Sequence, residues 1–323
     1  MRGRLAPSPT GALHLGNART FMIAWLRVRS QGGTLVLRME DLDHPKNKPG
    51  AAAAALADLR WLGFDWDEGP DKGGPYQPYT QTERVAHYAR ALEALRRQGL
   101  VYPCTCSRRD VTMGQAAPHA EDTLYYPGTC RDCFKDYASA QAVLTPGRWP
   151  AWRFRVSSDA RVCFEDRFCG AYEQAVASES GDFVLARDAC GAGYMLAVVV
   201  DDAAMNISEV VRGDDLIAAT PRQILIYRAL GLTPPEFLHV PLVVNEEGRR
   251  LAKRHGDTRI AALRHAGVSA ERVIGLLAWW CGWAQWGESL GLRDLIPRFD
   301  LQKLSHTPAI LTADVRTAFG ITV

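Results

Sequence analysis

At 323 residues, with 47% hydrophobic and 23% charged side chains, the chain is long enough for two or three domains and too balanced for a disordered or fibrous protein. The formal net charge of +2 excludes neither RNA nor small molecules; an RNA partner would need local basic patches such as Arg96-Arg97, Arg108-Arg109 and the stretch from Arg249 to Arg259. No apolar run approaches the ~18–20 residues of a membrane span, and the start, Met1-Arg2-Gly3-Arg4, lacks the apolar core of a signal peptide, so a cytoplasmic chain with no membrane partner is expected.

In chain order, Arg2–Ala6 reads as a short strand, followed by the turn-rich Pro7-Ser8-Pro9-Thr10-Gly11. A helix is expected from about Gly16 to Arg29, where Ala18, Phe21, Met22 and Trp25 fall on one face, and Gly32-Gly33 ends it. Thr34–Met39 is a second strand; strand, helix, strand implies a parallel sheet. Ala51–Leu62 reads as a helix. Thr80-Gln81-Thr82-Glu83 reads as a capping box for another, with Val85, Tyr88, Leu92 and Leu95 inward and Gly99 as the stop. From Val101 to about Trp149, Cys, Pro and Gly are frequent and periodicity is weak, the texture of an insertion. Alternation returns at Trp152–Val156. The apolar, Val-rich run Met195–Val200 suggests a strand buried on both faces. Ile207–Arg212 and Phe237–Val244 are further strand candidates, with a helix near Pro221–Leu230 between them, and the rest from about Thr258 reads as mostly helical. The expected division is 1–100 and 191–257 as two halves of one sheet domain, 101–190 as the insertion and 258–323 as a helical tail.

Two short strings carry possible phosphate chemistry. His14-Leu15-Gly16-Asn17 stands between a strand and a helix, where unpaired N–H groups favour anions; taken alone it is an ordinary turn with a surface histidine. Arg250-Leu251-Ala252-Lys253-Arg254 lies in a basic, glycine-flanked loop, whose lysine suits a pyrophosphate leaving group and which is otherwise a solvated loop. The chain has no P-loop, no Gly-x-Gly-x-x-Gly and no His-Glu-x-x-His, so kinase, dehydrogenase and metalloprotease readings drop out. Cys104-Thr105-Cys106, Cys130 and Cys133 suit tetrahedral zinc, with Cys133 as the fourth ligand on residue type alone. Cys163, Cys169, Cys190 and Cys281 read as buried small hydrophobes, and Trp279, Trp280, Trp283 and Trp286 as core.

Together, the run Arg4–Thr20, Leu37–Asp43, Leu196–Asp202, Val211–Leu216 and Arg250–Arg254 resembles, in order, the class I glutamyl-tRNA synthetase family. His14–Asn17 takes the place of the HIGH signature and Arg250–Arg254 that of KMSKS, with Asn17, Arg250 and Ala252 as departures. The resemblance implies an α/β fold: a Rossmann-like parallel sheet with a zinc-containing insertion and a helical C-terminal segment. It implies activation of L-glutamate by ATP with Mg²⁺, and then transfer to RNA. His14 and Lys253 would carry the catalytic charge stabilisation. ATP would meet His14, Gly16, Asn17 and Lys253. Glutamate would meet Arg4, Ala6, Ser8, Glu40, Tyr194 and Arg212, where arginines suit the carboxylates and Glu40 the ammonium. Structural zinc would be held by Cys104, Cys106, Tyr126 and Cys130, with tyrosine in place of Cys133. About 70 residues follow Arg254, too few for the family's anticodon-binding region. That architecture is similar to the short branch of the family, which attaches glutamate to queuosine at the wobble position of tRNA(Asp). The expected partner is therefore a queuosine-bearing anticodon stem-loop, and the expected state a monomer. The other readings are a shortened synthetase that charges a tRNA 3′ end, and a non-catalytic RNA-binding paralogue.

Overall fold

The computed structural model describes residues 1–42, 47–113, 125–188, 191–249, 251 and 257–321. β1 (Arg2–Leu5) leads into α1 (Leu15–Arg29) and returns as β2 (Thr34–Leu37). The two strands pair in parallel, from Arg2 opposite Thr34 to Leu5 opposite Leu37. Leu15, Ala18, Met22 and Trp25 bury one face of α1, while Arg27 and Arg29 in its last turn complement the helix dipole. Gly3 lets the helix lie directly on the strand: a Cβ there would stand 2.5 Å from Val28 Cγ2.

α2 (Ala51–Trp61) and α3 (Val85–Arg97) follow. The expected capping box is not formed. Thr80 makes no capping hydrogen bond, a single 3-10 turn occupies Gln81–Glu83, and the Thr82 N–H and hydroxyl both donate to the Asp41 carboxylate. A tertiary carboxylate outcompetes the local cap. Tyr88, Leu92 and Leu95 are buried as expected, but Val85 is exposed.

The middle of the chain contains β3 (Val101–Cys104), α4 (Arg108–Met113), α5 (Tyr137–Gln141), β4 (Ala151–Phe154), β5 (Val162–Asp166), β6 (Gly170–Gln174), α6 (Val176–Glu179) and β7 (Phe183–Ala186). β3, β4 and β7 form an antiparallel sheet. Cys163 and Cys169 are exposed, against the expectation that they are buried: Cys163 is on the outward face of β5 and Cys169 in the turn between β5 and β6. Cys281 is buried, and Cys190 lies outside the described residues.

The run expected as a strand at Met195–Val200 is α7 (Tyr194–Ala204). An apolar run of this length has no periodicity with which to choose between a strand and an enclosed helix. Here α3, β7 and a later helix, α8, enclose it on several sides. Next come β8 (Glu209–Gly213), α8 (Thr220–Ala229), β9 (Glu236–Val240) and β10 (Val243–Asn245). The single strand expected over Phe237–Val244 is thus two, separated at Pro241-Leu242 because proline cannot continue a ladder. β8 and β9 pair in parallel, and β5 joins β9 through Asp166 opposite Phe237, giving the order β6-β5-β9-β8.

The tail contains α9 (Ile260–His265), α10 (Ala270–Trp279), β11 (Ala309–Leu311) and α11 (Ala313–Ala318). It is not only helical: β11 pairs in parallel with β10. Trp280 and Trp283 are core, whereas Trp286 is 47% exposed, with Trp279 edge-on against it. One apolar core joins α1, β1, β2, α10 and the tail; a second joins α3, β4, β7, α7 and α8. Among the described residues no helix is long and apolar enough to cross a membrane.

Candidate active site

A cavity of about 590 Å³ opens at the C-terminal ends of β1, β2 and β8, where parallel sheets ordinarily bind ligands. Its walls include Arg4, Ala6, Ser8, His14, Gly16, Asn17, Glu40, Tyr194 and Arg212, so every expected ATP- or glutamate-contacting residue that is described lies on it. Lys253 falls outside the described residues, as do Arg250, Ala252 and Arg254; Leu251 lines the cavity.

His14 is the N-cap of α1. Its Nδ1 accepts from the N–H groups of Gly16 and Asn17, at 3.1 and 3.3 Å. A neutral imidazole with Nδ1 accepting carries its hydrogen on Nε2. Gly16 makes room for this ring, because a Cβ there would sit 3.1 Å from it. The first N–H groups of the helix therefore serve the histidine.

Charge on the opposite wall is arranged in buried pairs. Arg38, fully buried, donates to Glu40 Oε1 at 2.8 Å and to Asp202 Oδ1 at 2.7 Å. Asp201 accepts from Arg84 Nε at 2.6 Å, Tyr88 Oη at 2.8 Å and Gln81 Nε2 at 2.9 Å. Burial pushes the Glu40 carboxyl up from its ordinary value, with Arg38 opposing. Arg4 donates from Nη1 to Val211 O at 2.8 Å and stands 3.8 Å from Asp202, while its Nε is buried without a hydrogen-bond partner. Burial lowers the Arg4 pKa, with Asp202 countering.

Arg212 is different. Arg212 is 5% exposed, and among the described residues its polar contacts are to groups other than carboxylates. Nε donates to His239 Nε2 at 3.0 Å, Nη2 to Thr220 Oγ1 and Gln223 Oε1 at 2.8 Å each, and Nη1 to the Tyr194 hydroxyl at 3.4 Å. Among the described residues no carboxylate pairs with it. Asp202, the acid nearest Arg4, is already bound by Arg38. A buried guanidinium with no carboxylate among its described partners suits an anionic ligand. Arg212 presents Nη1 rather than a two-toothed edge, because Nε and Nη2 are already engaged.

Sequence reasoning missed Arg38, Asp201, Asp202, His239 and Asp166. Arg38 and Glu40 stand two apart at the end of a strand, a spacing that puts both on one face and was available as a signal. His239 left a weaker signal, a lone histidine within the apolar β9.

The cysteine cluster is separate from the cavity. The sulfurs of Cys104, Cys106 and Cys130 lie within 4.8 Å of one another. The Tyr126 hydroxyl is 3.3 Å from Cys104 Sγ and 3.6 Å from Cys106 Sγ. Tetrahedral zinc thiolates at ~2.3 Å from the ion would be about 3.8 Å apart, so the group fits with little rearrangement. Burial pushes the Cys106 thiol up to about 12, an arrangement that a cation would relieve. Cys133 is exposed and donates to Thr129 O at 3.2 Å, away from this group.

Residues 1–314 match the tRNA synthetases class I (E and Q), catalytic domain. The chain belongs to that family. Within it the chain stands with the glutamyl-Q tRNA(Asp) synthetases: it is 46% identical over 320 residues to the one from Symbiobacterium thermophilum, covering 98% of both chains. Glutamate–tRNA ligase 1 of Halorhodospira halophila is 41% identical over 317 residues, covering 97% of this chain and 65% of its own. The crystal structure of a glutamate tRNA ligase from Elizabethkingia meningosepticum, in complex with its amino acid, superposes with a TM-score of 0.80 at 28% identity, over 98% of this chain and 68% of that one. As a class I synthetase of the glutamate–glutamine kind the chain is a ligase, joining an amino acid activated with ATP and Mg²⁺ to tRNA.

Proposed function

We propose that the chain activates L-glutamate as glutamyl-adenylate and transfers it to queuosine at the wobble position of tRNA(Asp). The observation that carries this reading is the match to glutamyl-Q tRNA(Asp) synthetases, 46% identical across 98% of both chains, whereas the Halorhodospira glutamate–tRNA ligase is matched over 65% of its length. In the first step a glutamate α-carboxylate oxygen attacks the ATP α-phosphorus, and pyrophosphate leaves with Mg²⁺. In the second, a hydroxyl of the queuosine cyclopentenediol attacks the activated carbonyl, an ester forms and AMP leaves. The protein positions reactants and stabilises charge. His14 Nε2–H and Lys253 serve the phosphates, with Gly16 and Asn17 beside them. Arg4 and the Arg212 Nη1 take the carboxylates, Glu40 takes the ammonium, and Ala6, Ser8 and Tyr194 complete the wall. Cys104, Cys106, Tyr126 and Cys130 hold a structural zinc; a closed four-ligand site leaves no position for substrate.

The test is acylation with labelled glutamate of queuosine-containing tRNA(Asp), queuosine-free tRNA(Asp) and tRNA(Glu). Only the first should accept glutamate. Equal labelling of tRNA(Glu) would instead favour acceptor-end charging, the reading that the 41% identity to a glutamate–tRNA ligase keeps open.

A further inference from the structure

We propose that Asp166 and His239 are positioning residues that fix Arg212 for the glutamate carboxylate, so that the β5–β6 hairpin helps to set amino-acid affinity. This rests on the reading that Arg212 binds glutamate. Arg212 and His239 are direct partners in the β8–β9 ladder. Asp166, the last residue of β5, stands opposite Phe237 in the same sheet. All three side chains are buried.

The hydrogen bonds point to one arrangement, with the Thr220 hydroxyl also 3.2 Å from His239 Nε2. Asp166 Oδ1 accepts from the N–H groups of Cys169, Phe168 and His239, at 2.9, 3.0 and 3.2 Å. Asp166 Oδ2 stands 2.6 Å from His239 Nδ1. Arg212 has no acceptor on its side chain, so its Nε–H, 3.0 Å away, must donate to His239 Nε2. The imidazole hydrogen is therefore on Nδ1 and donates to Asp166. Burial keeps His239 below its ordinary value, with Arg212 adding to this against the pull of Asp166, so the ring is neutral and Nε2 remains an acceptor. The chain from carboxylate through imidazole to guanidinium pins Nε, while Thr220 and Gln223 pin Nη2. Nη1 is then held towards Tyr194 on the cavity wall.

Asp166→Asn is the sharpest test. The backbone N–H groups claim the amide oxygen, so the amide NH₂ faces His239 Nδ1 and drives the ring hydrogen to Nε2, against Arg212 Nε–H. The same inversion of tautomer accounts for the effect of a comparable substitution in serine proteases. In ATP–pyrophosphate exchange, KM for glutamate should rise about tenfold, roughly the loss of one charged hydrogen bond, with KM for ATP and kcat at saturating glutamate close to unchanged. Imidazole ¹⁵N shifts should report Nδ1–H in the native protein and Nε2–H in the variant. His239→Gln, whose amide oxygen supplies the acceptor, should retain most of the glutamate affinity that His239→Leu loses. If Arg212→Ala raises KM for glutamate while Asp166→Asn and His239→Leu, folded by circular dichroism, do not, the positioning role is wrong. Equal KM values for His239→Gln and His239→Leu would also overturn it, even if Asp166→Asn failed to fold. If Arg212→Ala itself leaves KM for glutamate unchanged, the reading of Arg212 fails and this inference falls with it.

Discussion

The cavity wall and the cysteine cluster are both built from residues far apart in sequence, but they are held together in opposite ways. Around the cavity, Arg38, Arg84, Asp201, Asp202 and Glu40 pair with one another within a large core, so the fold holds the charges in place without a ligand. The cluster has little beneath it: among the described residues its buried apolar group is Tyr102, Cys104, Val111, Tyr126 and Cys130, with Cys106 and Phe134 partly buried against it. Its thiols and phenol contact one another, the Arg153 guanidinium donates to Cys104 Sγ at 3.1 Å and the Cys130 N–H to the Tyr126 hydroxyl at 2.9 Å, while burial pushes the Cys106 thiol and the Tyr126 phenol up. One region orders its ligand site; in the other, an ion would order the region.

The largest effect that sharpens this contrast is expected from Asp201→Ala. It leaves buried Arg84 without its 2.6 Å partner and should cost about 3–5 kcal/mol of stability, measured by denaturant unfolding. A loss below ~1 kcal/mol would mean that the pairs do not support the wall. Next is Arg212→Ala, which should raise KM for glutamate roughly 10–100-fold, the value of a charge-assisted hydrogen bond to a carboxylate. Lys253→Ala should show the opposite emphasis, slowing adenylate formation more than it weakens glutamate binding.

For the cluster, native protein should hold about one zinc per chain by elemental analysis, and Cys104→Ser or chelation should remove it. Hydrogen exchange should then quicken in β3 while KM for glutamate changes less than about twofold, since the cavity does not depend on the ion. Zinc lost with Cys133→Ser but kept with Tyr126→Phe would reverse the ligand assignment. The smallest effect concerns pH. His239 is held below its ordinary 6.5 by burial, so its unfolded form takes up a proton first as pH falls. Its contribution to stability is full above about pH 6.5 and declines below that towards its depressed folded value; His239→Gln should flatten this part of the stability profile. An identical slope in the variant would mean that the ring is not buried in its neutral form.

The location of the cavity was legible because Arg4, Glu40 and Arg212 sit in short strings at strand ends and His14 and Gly16 at the start of a helix, where residue type and position coincide. The resemblance to glutamyl-tRNA synthetases gave those strings their meaning, and it brought Tyr126 rather than Cys133 into the cysteine group. What was not legible depends on pairing across the sheet. Nothing in the sequence says that Asp166 joins β9 or that His239 stands opposite Arg212, since a strand's own pattern does not name its neighbour. Thr82 turned to Asp41, 41 positions away, and so defeated a local capping signal. Met195–Val200 was misread because enclosure on several sides removes the very periodicity by which helices are recognised.

The acceptor sets this chain apart from a glutamate–tRNA ligase, and it is read from where the glutamate ends up. Queuosine-containing tRNA(Asp) is incubated with the protein, ATP and labelled glutamate, then cut by nucleases under conditions that preserve the ester. Label should travel with the anticodon fragment carrying queuosine, and queuosine-free tRNA(Asp) should remain unlabelled. Label released with the 3′-terminal adenosine would contradict it.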